Sequence, residues 1–283
     1  KAFKALSRKE KSAVLEYRFA LMSMEERESY LIDANNYQVK RELKFPFYTA
    51  NDVFPCNLLD NRAYRQKHTV LTWQKTSSWL SNETQNKASS DTIHQSIKDV
   101  IQETLNFSPL DWNFALPSSP ENKMQKTFKK LAEYQKDLLN GKAIAHVSTD
   151  NIYSLLTKTS DDKDGYLRVV KGYLNQGDKA AIKGKTDDFS KIDDHYFGAV
   201  GAVVQLREVY YAIRYIYADV ISNDAKAYFD DVLVAMDAIT DMNPLWVDDG
   251  GLWGRLMDDK DQLGNMFSKL VAIIRSTENA IKI

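Results

Sequence analysis

Glycine and proline are scarce in this chain, and this scarcity limits the folds that it can adopt. The 283 residues include 11 glycines and 6 prolines, about half of the usual shares of ~7% and ~5%. A β-sandwich needs such turn residues every ~8–12 positions. Apolar residues make up 43% of the chain and charged residues 27%, which is typical of a globular protein with a packed core. The composition therefore predicts an all-α protein.

Apolar periodicity and capping residues divide the chain into about eight to ten helices, in one multi-helix bundle. Ser7 with Glu10, and Ser23 with Glu26, have the spacing of a capping box and predict two helix starts. The predicted helices are one beginning at Ser7, followed by residues 23–43, 59–80, 91–105, 121–139, 149–158, 165–174, 193–221, 223–242 and 256–281.

The helix predicted over residues 193–221 is apolar around most of its circumference, so we expect it to be the central helix of the fold. Gly198 and Gly201 lie three residues apart on it and would allow a neighbouring helix to approach closely. Its tyrosines, together with Arg207 and Arg214, also fit a stacking surface for bases or sugars. Their helical spacing favours a place in the core.

A proline-containing segment, residues 106–119, is the best candidate for a boundary within the chain. Pro109 and Pro117 enclose Trp112 and Phe114, and this aromatic content indicates a packed segment instead of an extended linker. We therefore divide the chain into an N-terminal helical half, residues 1–110, and a C-terminal helical half, residues 111–283. The same pattern is compatible with one continuous domain.

Charge and cysteine content exclude several classes of protein. The chain has 38 basic and 39 acidic residues and a formal net charge of −1. Nucleic-acid-binding chains usually carry a basic excess, so we expect no nucleic-acid partner. The single cysteine, Cys56, excludes an internal disulfide. No stretch reaches the ~18 uninterrupted apolar residues of a membrane helix.

Three segments resemble metal-binding motifs, but each has a required ligand missing or wrongly placed. Residues 160–165 begin like a calcium loop, but Lys171 stands where that loop needs a bidentate glutamate. Asp193, Asp194 and His195 are adjacent on a helix, so their side chains diverge. The aspartates within residues 258–261 lack the one-turn spacing of a carboxylate clamp. The sequence also lacks the usual phosphate-loop and nucleophile-elbow motifs. We therefore expect no metal ion, no organic cofactor and no catalytic residue.

Three stretches of the chain resemble a proteobacterial family of unknown function. The match extends from about Tyr48 to the end of the chain, and residues 1–47 fall outside it. Family members look like single-pass inner-membrane proteins with a short cytoplasmic start and a helical periplasmic body. The resemblance implies a periplasmic domain with a membrane anchor upstream of Lys1, and it brings no catalytic residues. The stretches are Asn51-Asp52-Val53-Phe54-Pro55 with Leu59-Asp60-Asn61, Asp111-Trp112 to Leu116-Pro117-Ser118 with the helix that follows, and residues 196–221 with the glycine loop 250–254.

The leading hypothesis is a non-enzymatic, membrane-tethered protein of the cell envelope, whose helical body binds or organises protein partners. The alternative is an enzyme or binder that takes an envelope lipid or glycan in a helix-lined cleft. A third hypothesis, a small-molecule sensor, requires a buried pocket. The residues that we expect at a ligand or partner surface, from their place near loops, are Asn51, Asp52, Asp60, Asn61 and Trp112.

Overall fold

A computed structural model of the chain describes residues 7–42, 58–83, 120–145, 149–161, 166–167, 192–242 and 259–281. These residues form eight α-helices and no β-strand, which confirms the predicted all-α bundle. None of these helices is long and apolar enough to cross a membrane. The helices are α1 (Arg8–Ala20), α2 (Met24–Glu42), α3 (Leu58–Glu83), α4 (Pro120–Leu139), α5 (Thr149–Ser160), α6 (Ile192–Ile216), α7 (Asn223–Thr240) and α8 (Asp259–Ile281).

Three predicted segments fall wholly or mostly outside the described residues. The helix predicted over residues 91–105 and the boundary segment 106–119 lie there, as does Cys56. Of the helix predicted over residues 165–174, the structure describes a turn at Tyr166 and Leu167. These segments stay predictions.

The first two helices are capped at their N-termini by the two serines that the sequence predicts. At α1 the Ser7 N–H donates to Glu10 Oε2 at 2.7 Å, and the Glu10 N–H donates to Ser7 Oγ at 3.3 Å. Ser23 and Glu26 form the same pair of bonds at α2, at 2.8 and 3.2 Å. Each pair satisfies two N–H groups that have no partner within the helix. The capping-box prediction is confirmed at both positions.

Helix α6 ends at Ile216, earlier than the end predicted at residue 221. The chain turns directly after it, and the Val220 N–H donates to the Tyr217 carbonyl at 2.9 Å. Ser222 then caps α7 by accepting a bond from the Ala225 N–H at 3.1 Å. Because a capping residue has an extended backbone, the helix cannot run through this position. Apolar residues continue through the turn, which is why spacing alone overestimated the length of α6.

Helix α6 is the central helix, as predicted, and packs against α1, α2, α3, α7 and α8. A Cβ atom on Gly201 would lie 2.2 Å from the Arg65 carbonyl oxygen of α3. A Cβ atom on Gly198 would lie 2.6 Å from Cδ2 of His68. Thr69 Oγ1 donates to the Gly201 carbonyl at 3.2 Å across the same contact. The two glycines therefore allow α3 to approach α6 closely, which confirms their predicted role.

The hydrophobic core draws on residues from both sides of the expected boundary. Its largest cluster includes Leu31 and Trp79 from the N-terminal half together with Val203 and Phe229 from the C-terminal half. Two smaller clusters join α4 to α2 and α3. Within the described part of the chain, α6 is thus covered by helices from both halves.

A buried hydrogen-bond network connects α2, α3 and α6. Asn35 Nδ2 donates to Ser77 Oγ at 2.9 Å, and Thr76 Oγ1 donates to Asn35 Oδ1 at 2.5 Å. Gln205 Nε2 donates to the Asn35 carbonyl at 2.7 Å. All four residues are buried. A shift in the packing of these helices would leave polar atoms unpaired in the core, so the network fixes their alignment.

Candidate functional site

The five residues predicted to form a ligand or partner surface lie mostly beyond the described part of the chain. Asp60 and Asn61 belong to the first turn of α3. Asn51, Asp52 and Trp112 lie outside the described residues. A surface formed by all five therefore stays a prediction.

The segments that imitate metal sites lie near helix ends. Asp193, Asp194 and His195 occupy the first turn of α6, and Ser160 is the last residue of α5. Asp259 begins α8. Among the residues that the structure describes, no group of three or more His, Cys, Asp or Glu side chains is placed to hold a metal ion.

The tyrosines of α6 and of the turn after it point to different sides of the helix. Tyr196, Tyr210 and Tyr217 are buried in the core. Tyr211 and Tyr215 are half-buried, with their ring centroids 4.9 Å apart. Burial raises the pKa of Tyr211 to about 12. Three of the five rings thus belong to the core, in agreement with the interpretation that their helical spacing favoured.

Two arginines of α6 bind two aspartates of α7 in antiparallel register. Arg214 donates from Nε and Nη2 to the two carboxylate oxygens of Asp230, both at 3.1 Å. Arg207 donates from Nε to Asp237 Oδ1. Seven residues, or about two helical turns, separate the two arginines, and the same spacing separates the two aspartates. The repeated pairing holds α6 and α7 side by side.

The Arg214 guanidinium also connects these helices to α1. Its Nη1 donates to Glu16 Oε1 at 2.8 Å. Burial by itself lowers the pKa of Arg214, but the hydrogen bonds to Asp230 and Glu16 outweigh burial and hold that pKa above its usual range. The Arg214 side chain is therefore fully engaged in contacts that join α6 to α1 and α7.

The pKa of the Glu208 carboxyl group is shifted, and such shifts occur both in catalytic sites and in ion-pair networks. Burial raises its pKa above the ordinary value, and the charge of Arg207 offsets this only in part. Arg207 Nη1 donates to Glu208 Oε1 at 3.1 Å. The same arginine binds Asp237, so the Glu208 carboxyl group belongs to an ion-pair network that also joins α6 to α7.

A surface groove of about 410 Å³ runs between α7 and α8. The α7 residues along it recur with the spacing i, i+3, i+4 and i+7, and those of α8 with the spacing i, i+3 and i+7, so each helix presents one continuous stripe. These stripes lie beside those that enter the core, which include Phe229 and Met236 of α7. The groove is lined by Asp231, Val234, Ala235, Ala238, Met266, Lys269 and Ile273.

The groove combines an apolar surface with one charge on each wall. Ala235 and Ala238 are small, and Val234 is 46% exposed beside them. Asp231 belongs to α7 and Lys269 to α8, and neither forms an ion pair or hydrogen bond with any residue that the structure describes. An exposed apolar patch with a charged rim is typical of protein-binding surfaces.

Sequence reasoning did not identify this groove. The available signal was a second apolar stripe, with Val234, Ala235 and Ala238 on one helix and Met266 and Ile273 on the next. Alanine contributes little to apolar periodicity, so the stripe is faint. It becomes a groove only when α7 and α8 lie side by side, which the sequence does not specify.

No family model, curated protein or solved structure matches this chain. The resemblance to an inner-membrane family therefore stays a prediction. The functional inference depends on the geometry of the groove.

Proposed function

We propose that this protein is a non-enzymatic helical interaction domain that binds a protein partner in the α7–α8 groove. The observation that carries this proposal is the apolar stripe between Asp231 and Lys269, two opposite charges without partners among the described residues. In helix-in-groove recognition the apolar face of an amphipathic helix lies in a hydrophobic groove, and Val234, Ala235 and Ala238 offer such a surface here. Opposite charges on the two walls would orient a bound helix.

The charged clusters elsewhere on α6 and α7 support a structural role over a catalytic one. General acid–base catalysis needs a titratable group that can reach a reacting atom in a cleft. Arg207, Arg214, Asp230 and Asp237 instead bind one another across two packed helices. Their pairing supports an interaction domain in which charge aligns the helices.

We further propose that the domain works in the cell envelope, on an inner-membrane anchor upstream of Lys1. The support is the resemblance described above, carried by Asn51-Asp52-Val53-Phe54-Pro55 with Leu59-Asp60-Asn61 and by the stretches after them. The coding sequence upstream of Lys1 tests this directly. We expect it to encode an apolar run of about 20 residues. An upstream sequence without such a run would contradict the proposed location.

The groove itself is tested by site-specific photo-crosslinking in intact cells. A photoreactive residue replaces Val234, which is 46% exposed in the groove, and a matched control replaces Val14, which is 45% exposed on α1. We expect one discrete protein adduct at position 234 that is absent at position 14. The adduct should weaken when Lys269→Asp is added, because the charge on one wall is reversed.

Two results would contradict the proposed function. The first is the absence of any protein adduct at position 234. The second is the same adduct in equal yield at position 14, which would show that crosslinking reports exposure instead of binding in the groove.

A further inference from the structure

We infer that the occupant of the α7–α8 groove is the same face of a second copy of this chain, so that two copies pair about a two-fold axis. This inference rests on the proposed function, because it names the partner of the same groove. It is carried by the charges and the shape of that face, and the extent of the face limits how strong the pairing can be.

The charges of the groove are self-complementary. In a two-fold interface, if residue i of one copy meets residue j of the other, then residue j of the first also meets residue i of the second. Asp231 lies on one wall and Lys269 on the other. A single contact between Asp231 of one copy and Lys269 of the other would therefore occur twice. Two groups that lack partners in the described chain would both be paired.

The shape of the groove is self-complementary as well. Val234 is 46% exposed and projects beside Ala235 and Ala238, which have the smallest side chains of the stripe. Val234 of one copy can occupy the space over the two alanines of the other, and the symmetry repeats this contact. Two helix pairs joined in this way form a four-helix arrangement with small residues at the contact.

The extent of the apolar stripe indicates a weak dimer. Tyr228 is 39% exposed and lies one turn before Asp231 on α7, so it extends the stripe beyond the groove. From Tyr228 to Ala238 the helix rises about 15 Å. A stable interface buries about 800 Å² on each partner. A stripe of this length across two helices, each about 10 Å wide, covers less than this area, so we expect at most a weak dimer.

The test is the mass of the purified full chain in solution, measured by sedimentation equilibrium from low to high micromolar concentration. We expect a reversible monomer–dimer equilibrium. Asp231→Lys alone and Lys269→Asp alone should each weaken it at least about tenfold, because each variant converts two attractive contacts into two repulsive ones. The double variant should restore dimerisation, since its exchanged charges pair again across the axis.

Matched controls use exposed charges away from the groove. Asp33→Lys on α2 and Lys126→Asp on α4 make the same charge changes on exposed residues. They should leave the dissociation constant unchanged. Circular dichroism of every variant shows that the fold is retained. If Asp231→Lys does not fold, Asp231→Asn removes the same contact with a smaller perturbation and should still weaken the dimer.

The inference is overturned if the wild-type chain is monomeric throughout this range, or if the double variant is as weak as the single variants. Its failure is distinguishable from failure of the proposed function. A monomeric chain that still crosslinks at position 234 to a different protein retains the interaction function and excludes self-association. A monomeric chain without any such adduct contradicts both.

Discussion

Arg27 of α2 binds Asp219, which follows the end of α6, with Nη1 2.7 Å from Oδ1. The arginine is 3% exposed. It also donates to the carbonyls of Ala20, Met22 and Ile216 at 3.3, 3.3 and 3.1 Å. Ala20 and Ile216 are the last residues of α1 and α6, where carbonyls lack partners within the helix and the helix dipole is negative. The buried Arg27 guanidinium thus supplies hydrogen-bond donors to carbonyl groups at the C-terminal ends of two helices.

Arg27→Ala should lower the free energy of unfolding by about 3–4 kcal/mol, because it leaves buried carbonyls without a donor. Asp219→Asn should cost less than about 1 kcal/mol, because the Asp219 side chain is 45% exposed and its ion pair is screened by water. Urea unfolding of both variants measures the difference. Equal losses would mean that the ion pair, and not the carbonyl contacts, dominates.

Gly201→Ala should destabilise the protein by about 1–3 kcal/mol, because its Cβ would lie 2.2 Å from the Arg65 carbonyl oxygen and would push α3 away from α6. Gly264→Ala in α8 is the control, since its Cβ would meet nothing within 4 Å. That change should stabilise the helix by about 0.5–1 kcal/mol. Thermal unfolding measures both. A neutral Gly201→Ala would contradict the close approach of α3.

Features that act over a few residues could be predicted from the sequence. Ser7 and Ser23 cap their helices through residues three positions further on, so both partners of each bond are visible in one short stretch. The pair Gly198 and Gly201 predicted close packing on α6. It did not identify Arg65 as the neighbour, since that contact depends on how α3 folds back.

Features that depend on the neighbouring helix could not be predicted. Asp230 and Asp237 look like parts of a solvated face until α6 places Arg214 and Arg207 beside them. Val234 resembles a single exposed apolar residue until α8 forms the other wall of the groove. In both cases one helix supplies half of the site, and periodicity within a helix does not encode its neighbour.

Asn35→Ala should destabilise the protein by about 2–3 kcal/mol, because Ser77 and Thr76 would lose a buried partner together and Gln205 would lose its 3.2 Å contact with Asn35 Oδ1. Ser77→Ala removes only one of these contacts and should cost about 1 kcal/mol. In the double variant the two losses should fall short of their sum by at least ~0.5 kcal/mol. Urea unfolding of the four proteins gives this coupling, and strict additivity would contradict the shared network.

Glu208→Gln should stabilise the protein at neutral pH and make no difference in acid. Burial holds the folded-state pKa of Glu208 above the ordinary value of 4.5. Between the two pKa values the folded state binds more protons than the unfolded state, so the free energy of unfolding decreases as pH rises through this window. Glutamine does not ionise and avoids this loss. Because the Glu208 side chain is 23% exposed, the gain at pH 7 should stay below about 1 kcal/mol.

Glu133→Gln on α4 is the control of opposite sign, because the hydrogen bond from Lys130 lowers the pKa of Glu133. A folded-state pKa below the unfolded value stabilises the protein above the unfolded pKa, and this contribution is lost as pH falls through the folded pKa. Glu133→Gln should therefore reduce stability at neutral pH and not in acid. Denaturation with urea at several pH values compares the two variants. If Glu208→Gln also lost stability towards neutral pH, the pairing with Arg207 would outweigh burial, and Glu208 would act as an ordinary ion-pair partner.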